Sequence, residues 1–200
     1  MLKNHQNKKG TVLTEALIAI TLLMTASMVM VAIMMNAYST IRISRAYLTA
    51  QNIASEGVEA VKNLRSTNWL SEPNDADCWM RLDPMIECNV GSNYPKIKDG
   101  YLAGFNKLSQ WRLEEASGKN LLDLENYKKA MENYRLYFDG SFYTHEEVKN
   151  GISPYYRSIE FSDVGNGDDY VSFRVIVQWD ENGTIRSVVR YITLHNYFNG

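Results

Sequence analysis

The chain has 200 residues, 45% of them hydrophobic and 22% charged, with a formal net charge of −2. That length holds one domain of ordinary size plus an appendage, and that charge argues against a nucleic-acid binder, which needs a basic stripe or patch. The averages conceal an uneven distribution: the first ten residues carry Lys3, Lys8 and Lys9 and no acid, so the remainder has a formal charge of −5.

From residue 11 to residue 35 there is no Lys or Arg and a single acid, Glu15. Residues 16–35 lack charge and proline altogether, with Thr21, Thr25 and Ser27 as the polar interruptions. Twenty helical residues extend about 30 Å, the thickness of a hydrocarbon core. Three lysines precede this stretch, while Arg42 and Arg45 follow it, which predicts a cytoplasmic N-terminus and a C-terminal region outside the membrane. A cleaved secretory signal peptide fits less well. Its apolar region is shorter and ends in a small-x-small site, whereas this run ends in VAIMMNAYST. An acid within a bilayer costs roughly 2.5–3.5 kcal/mol, so Glu15 at the head of such a helix requires an account.

The helical pattern continues past residue 36. Ile43, Ala46, Ala50, Ile53, Gly57, Val61 and Leu64 recur at steps of three or four and draw one apolar stripe. The first proline is Pro73, so a single helix is predicted over residues 12–66, greasy all round in its first half and amphipathic in its second. The stripe is rich in alanine and glycine, which permit close backbone approach, and its expected seat is the chain's own sheet. Residues 71–120 carry the turn signals NDAD, DP, GSNYP and KDG and read as irregular. Residues 121–135 fit a short helix. Farther on, Asp139-Gly140 between aromatic runs predicts a two-residue hairpin. The segments PYYRSIEFSDV, YVSFRVIVQWD and TIRSVVRYITLHNYF alternate or are β-branched, which predicts four or five antiparallel strands over residues 135–198. In the first of them Tyr155, Arg157, Ile159 and Phe161 fall on one face, opposite Tyr156, Ser158 and Glu160. The expected fold class is α+β, a long N-terminal helix packed on a C-terminal antiparallel sheet.

Cys78 and Cys88 lie ten apart in a turn-rich stretch. Outside the cytoplasm two such cysteines pair, and closing so short a loop adds about 2–3 kcal/mol. His5, His145 and His195 are too scattered for a metal site, and no metal or other cofactor is expected. Asp163, Asp168 and Asp169 in SDVGNGDDY are candidate calcium ligands without the spacing of an EF-hand loop, and read more simply as solvated turn acids. No nucleophile elbow, zinc-protease helix or P-loop signature occurs, so no enzymatic activity is expected.

A basic leader, Gly10, Thr11-Val12-Leu13-Thr14, Glu15 and a long apolar helix followed by an antiparallel sheet resemble the type IV pilin family, including minor pilins and the pseudopilins of type II secretion. The resemblance implies that a prepilin peptidase cuts between Gly10 and Thr11 and methylates the new amine of Thr11. It also implies that the chain joins other pilin subunits through the pilus assembly machinery. Thr11 stands where most members have an aromatic residue or methionine, and Thr14 where an apolar residue is usual. The implied organisation is a leader at 1–10, a transmembrane and assembly helix at 11–35, its amphipathic continuation at 36–70 and an extracytoplasmic domain at 71–200. In this reading Glu15 sets the register of packed helices by meeting a neighbour's α-amine, since a buried ion pair repays its desolvation only in good geometry. The different-class alternative is an uncleaved, single-pass anchored binding domain, with Glu15 an interfacial acid stabilised by the helix dipole.

Overall fold

A computed structural model describes residues 8–71, 78–88, 94–97, 100–105, 108–116, 131–164 and 170–196. Helix α1 runs Lys8–Ser71. Among the described residues seven strands follow: β1 Gly100–Phe105, β2 Trp111–Glu115, β3 Arg135–Phe138, β4 Tyr143–Thr144, β5 Ile152–Val164, β6 Tyr170–Glu181 and β7 Thr184–His195. They form one sheet whose named strands all pair antiparallel, so the chain is α+β as its pattern predicts. It divides into two compact units, residues 1–46 and 47–200.

The sheet is organised around β5. One edge of β5 pairs with β6 from Tyr155 to Val164. The other edge is shared, with β1 opposite Ile159 and Glu160 and β3 opposite Tyr156 and Ile152. β6 is central, and Val175, Ile176, Val177, Gln178 and Trp179 are all buried. This is the burial expected where a β-branched run is covered on both faces. Helix α1 covers one face through Ala50, Ile53, Ala54, Gly57, Val58, Val61 and Leu64. A Cβ at Gly57 would lie 2.8 Å from Val175 Cγ1 and 3.3 Å from Arg157 Cδ, so glycine is what lets helix and sheet close to this spacing. Ile43, the first residue of the sequence-derived stripe, is exposed, and the stripe becomes buried only at Ala50. The opposite face carries Ile176 in a cluster with Ala116, Met131 and Tyr134, flanked by Leu102, Tyr156, Ile185 and Val189.

Two local differences from the sequence reading have physical causes. β1 and β2 form a hairpin inside the stretch read as irregular. Their sequences GYLAGF and WRLEE are weak strand formers by propensity, and pairing with β5 together with the Phe105–Trp111 ring contact at 4.2 Å holds them. The Asp139-Gly140 turn is a four-residue loop, because β3 and β4 pair at Phe138↔Tyr143. The Asp139 Oδ1 accepts the Ser141 and Phe142 amides at 2.7 and 2.9 Å, which stabilises the wider loop. The helix read at 121–135 lies mostly outside the described residues. Its end is a short 3-10 turn, Glu132–Tyr134, and Arg135 already begins β3. The β6–β7 connection is a two-residue turn with Asn182 and Gly183 at φ 54° and 85°, the left-handed geometry tight hairpins demand.

Candidate membrane and assembly segment

The N-terminal unit is built from one element. Gly10 and Thr11 lie on the first turns of α1. Beyond them, large apolar side chains including Val12, Leu17, Leu22, Met28 and Ile33 are all exposed. The window of greatest mean hydropathy, 2.5, has none of its residues buried, and α1 is long and apolar enough to cross a membrane. Its polar interruptions are internally satisfied. The Thr21 hydroxyl donates to the Ile18 carbonyl at 2.8 Å, Thr25 to Leu22 and Thr21 at 2.9 and 3.1 Å, and Ser27 to Leu23 at 2.7 Å. A hydroxyl bonded back to its own helix avoids the cost of an unpaired polar group in an apolar medium. Glu15 has no such provision: it is exposed, and among the described residues it has no hydrogen-bond or ion-pair partner. The described residues supply no counter-charge to the single charge of residues 12–35.

The C-terminal unit holds its charges differently. Arg157, fully buried between β5 and α1, donates through Nη1 to Glu56 Oε1 at 3.2 Å. The Arg157 Nε and Nη2 atoms are enclosed without a partner, and burial lowers the guanidinium's pKa. On the other face Glu160 is buried and accepts Arg174 Nε and Nη2 at 3.0 and 2.8 Å. In the last turn of α1, Asn68 donates to the carbonyls of Trp79 and Arg81 at 3.1 and 2.9 Å, and Arg81 Nε returns a bond to Asn68 Oδ1 at 3.2 Å. Cys78 and Cys88 form a disulfide with Cα atoms 5.9 Å apart, so the loop they close is clamped to the last turns of the helix.

His145 sits beside a cleft of about 90 Å³ lined in part by Leu102, Gly104, Arg112 and Glu114, where β1 and β3 part company along the edge of β5. Its Nδ1 meets the Arg135 carbonyl at 3.1 Å, and its Nε2 is enclosed. Burial, with the nearby Arg157 charge second, pushes its pKa down to about 3. Among the described residues no three His, Cys, Asp or Glu side chains gather to hold a metal. Asp163 instead accepts the Tyr170 hydroxyl at 2.7 Å, while Asp168, Asp169 and His5 lie outside the described residues. Sequence reasoning pairs the cysteines and places Arg157 on a face with apolar neighbours. It misses the Glu56 partner, 101 positions away, because only the docking of α1 brings the two together. Comparison with family models, with curated proteins and with solved structures gives no match.

Proposed function

We propose that this chain is a structural subunit of a type IV pilus or a pilus-like fibre, processed between Gly10 and Thr11 and assembled through the exposed half of α1. The observation that carries the reading is Glu15, a lone carboxylate without a partner among the described residues, at the head of an apolar helix with no buried side chain in its most hydrophobic window. An unpaired acid in hydrocarbon is costly, and the amine created by cleavage at Thr11 of an adjacent subunit is a counter-charge of matching chemistry. A pair so placed rewards one axial register and penalises the others. Helix α1 includes Gly10, so cleavage requires the first turns to unwind. Glycine eases that step, because it is about 1 kcal/mol poorer than alanine in a helix. Partners in this reading are a prepilin peptidase, other pilin subunits with their assembly machinery, and the cytoplasmic membrane, and the C-terminal unit lies outside it.

The test is incorporation into fibres. In cells carrying the assembly system, Glu15→Ala should be processed normally yet enter fibres poorly, and Gly10→Ala should remain unprocessed and stay in the membrane. Wild-type incorporation of Glu15→Ala would remove the registration role. Full function of the Gly10→Ala chain as a membrane protein would favour the uncleaved anchored domain instead.

A further inference from the structure

The exposed half of α1 is not the only apolar surface that the C-terminal unit's own core leaves unexplained. One end of the sheet is a band of rings. Tyr47 meets Trp179 at 6.4 Å, Trp179 meets Tyr155 at 6.0 Å, Tyr155 meets Tyr143 at 6.2 Å, and Tyr143 meets Phe138 at 5.1 Å. Phe142, next in chain to Tyr143, extends the band to Phe105 at 5.4 Å. The inner members, Trp179 and Tyr155, are buried and fix the row. The outer members Tyr47, Phe138 and Phe142 are exposed, and Ile152, placed beside them by its pairing with Tyr137, is 71% exposed. Adjoining apolar groups turned to solvent mark an interaction surface, whereas isolated ones do not.

The chain itself indicates what meets that surface. Tyr47, one end of the band, follows Met35 by twelve positions, a tether of at most about 40 Å even fully extended. Arg42 and Arg45 lie in that tether and suit the phosphates of a headgroup layer. Tyrosine and tryptophan rings favour the zone between hydrocarbon and water because they are apolar bodies with polar tips. Among the described residues the acids at this end include Asp139, which accepts the Ser141 and Phe142 amides, Asp180, which accepts the Gly183 amide at 2.7 Å, and Glu181, which pairs with Arg186 at 3.6 Å. Their charge nevertheless disfavours an anionic surface. We propose that this aromatic end rests in the headgroup layer of a zwitterionic phospholipid membrane, the same membrane that residues 16–35 span. The inference rests on the membrane-spanning reading of α1 and does not require cleavage or fibre assembly.

The test uses the full chain reconstituted into vesicles of phosphatidylcholine and phosphatidylethanolamine containing lipids with a photoreactive group near the headgroup and others with one in the acyl chain. After illumination, peptide mapping should find headgroup adducts on the segments holding Phe138, Phe142 and Ile152, acyl adducts on residues 16–35, and none around the exposed Tyr191. A Phe138→Ser, Phe142→Ser, Ile152→Ser chain should lose about fivefold of the headgroup adducts on those segments while keeping those in the span. Adducts confined to the span would overturn the proposal and leave the spanning reading intact. An unlabelled span would overturn the spanning reading itself, and the proposal with it. Equal labelling around Tyr191, or cross-links at Phe138 and Phe142 to a second copy of the chain in place of lipid, would also overturn it.

Discussion

Residues 12–46 and residues 47–71 belong to one helix and follow opposite rules. In the first stretch the side chains are mostly large and nearly all exposed, while in the second the buried positions include Ala50, Ala54, Gly57 and Ala60 interleaved with Ile53, Val58, Val61 and Leu64. Small residues serve where a sheet must come close, and large ones lie where the chain's own fold covers nothing, which the proposed reading assigns to lipid or another helix. Charge follows the same division. Glu56 in the second stretch meets Arg157 inside the chain, whereas Glu15 in the first has no partner among the described residues. The helix therefore carries one set of residues completed by the chain's own fold and another that the proposed function would complete from outside.

The comparison breaks most visibly at the internal ion pair. Glu56→Ala leaves the buried Arg157 guanidinium uncompensated and should destabilise the C-terminal unit by about 3–5 kcal/mol in urea unfolding, whereas Arg157→Met should cost much less, because it removes the buried charge itself. Equal, small losses for both would show that the pair contributes little. The next largest effect is in pH dependence. His145 has a folded-state pKa near 3, below its unfolded value of about 6.5. The unfolded chain therefore binds a proton that the folded chain refuses, and stability contributed by neutral His145 is whole above pH 6.5 and falls as pH drops toward 3. Relative to a His145→Gln chain, the wild type should lose roughly 2–3 kcal/mol by pH 4.5. Parallel stability curves for the two chains would contradict the burial of the ring.

Two substitutions sharpen the contrast along α1. Gly57→Leu pushes carbon atoms into Val175 and should cost about 1–3 kcal/mol of unfolding free energy. Leu22→Ala, in the exposed stretch, should change the C-terminal unit's stability by less than about 0.5 kcal/mol, although it removes three carbons. A large loss from Leu22→Ala would mean that the exposed half of the helix supports the fold of the C-terminal unit.

How much of this was legible in the sequence depends on the range of the interaction. The helix and the strands β5 to β7 are written in local periodicity, whereas the helix's change of character, which the sequence places after residue 35, comes near residue 46 in the structure. The Asn182-Gly183 turn is local as well, and so is the pairing of Cys78 with Cys88. The β1–β2 hairpin was not legible, since Gly104, Ala103 and two glutamates carry no strand signal and only the edge of β5 makes them strands. The loop at Asp139 has four residues where the motif predicts two, because Asp-Gly suits both turn lengths and the Asp139 side-chain cap chooses between them. Arg157 was visible as a charge on an apolar face, but its partner lies on an element that reaches it only through tertiary packing. Glu15 was legible from the start, as a charge that no local pattern explains.

The central claim is tested most directly by intact mass and N-terminal sequencing of the membrane-extracted chain after co-expression with a prepilin peptidase. The account predicts a chain that begins at Thr11 and carries one methyl group, about 14 Da above the unmodified processed mass. A chain that still begins at Met1 would contradict it and leave an outward-facing domain held by an uncleaved helix.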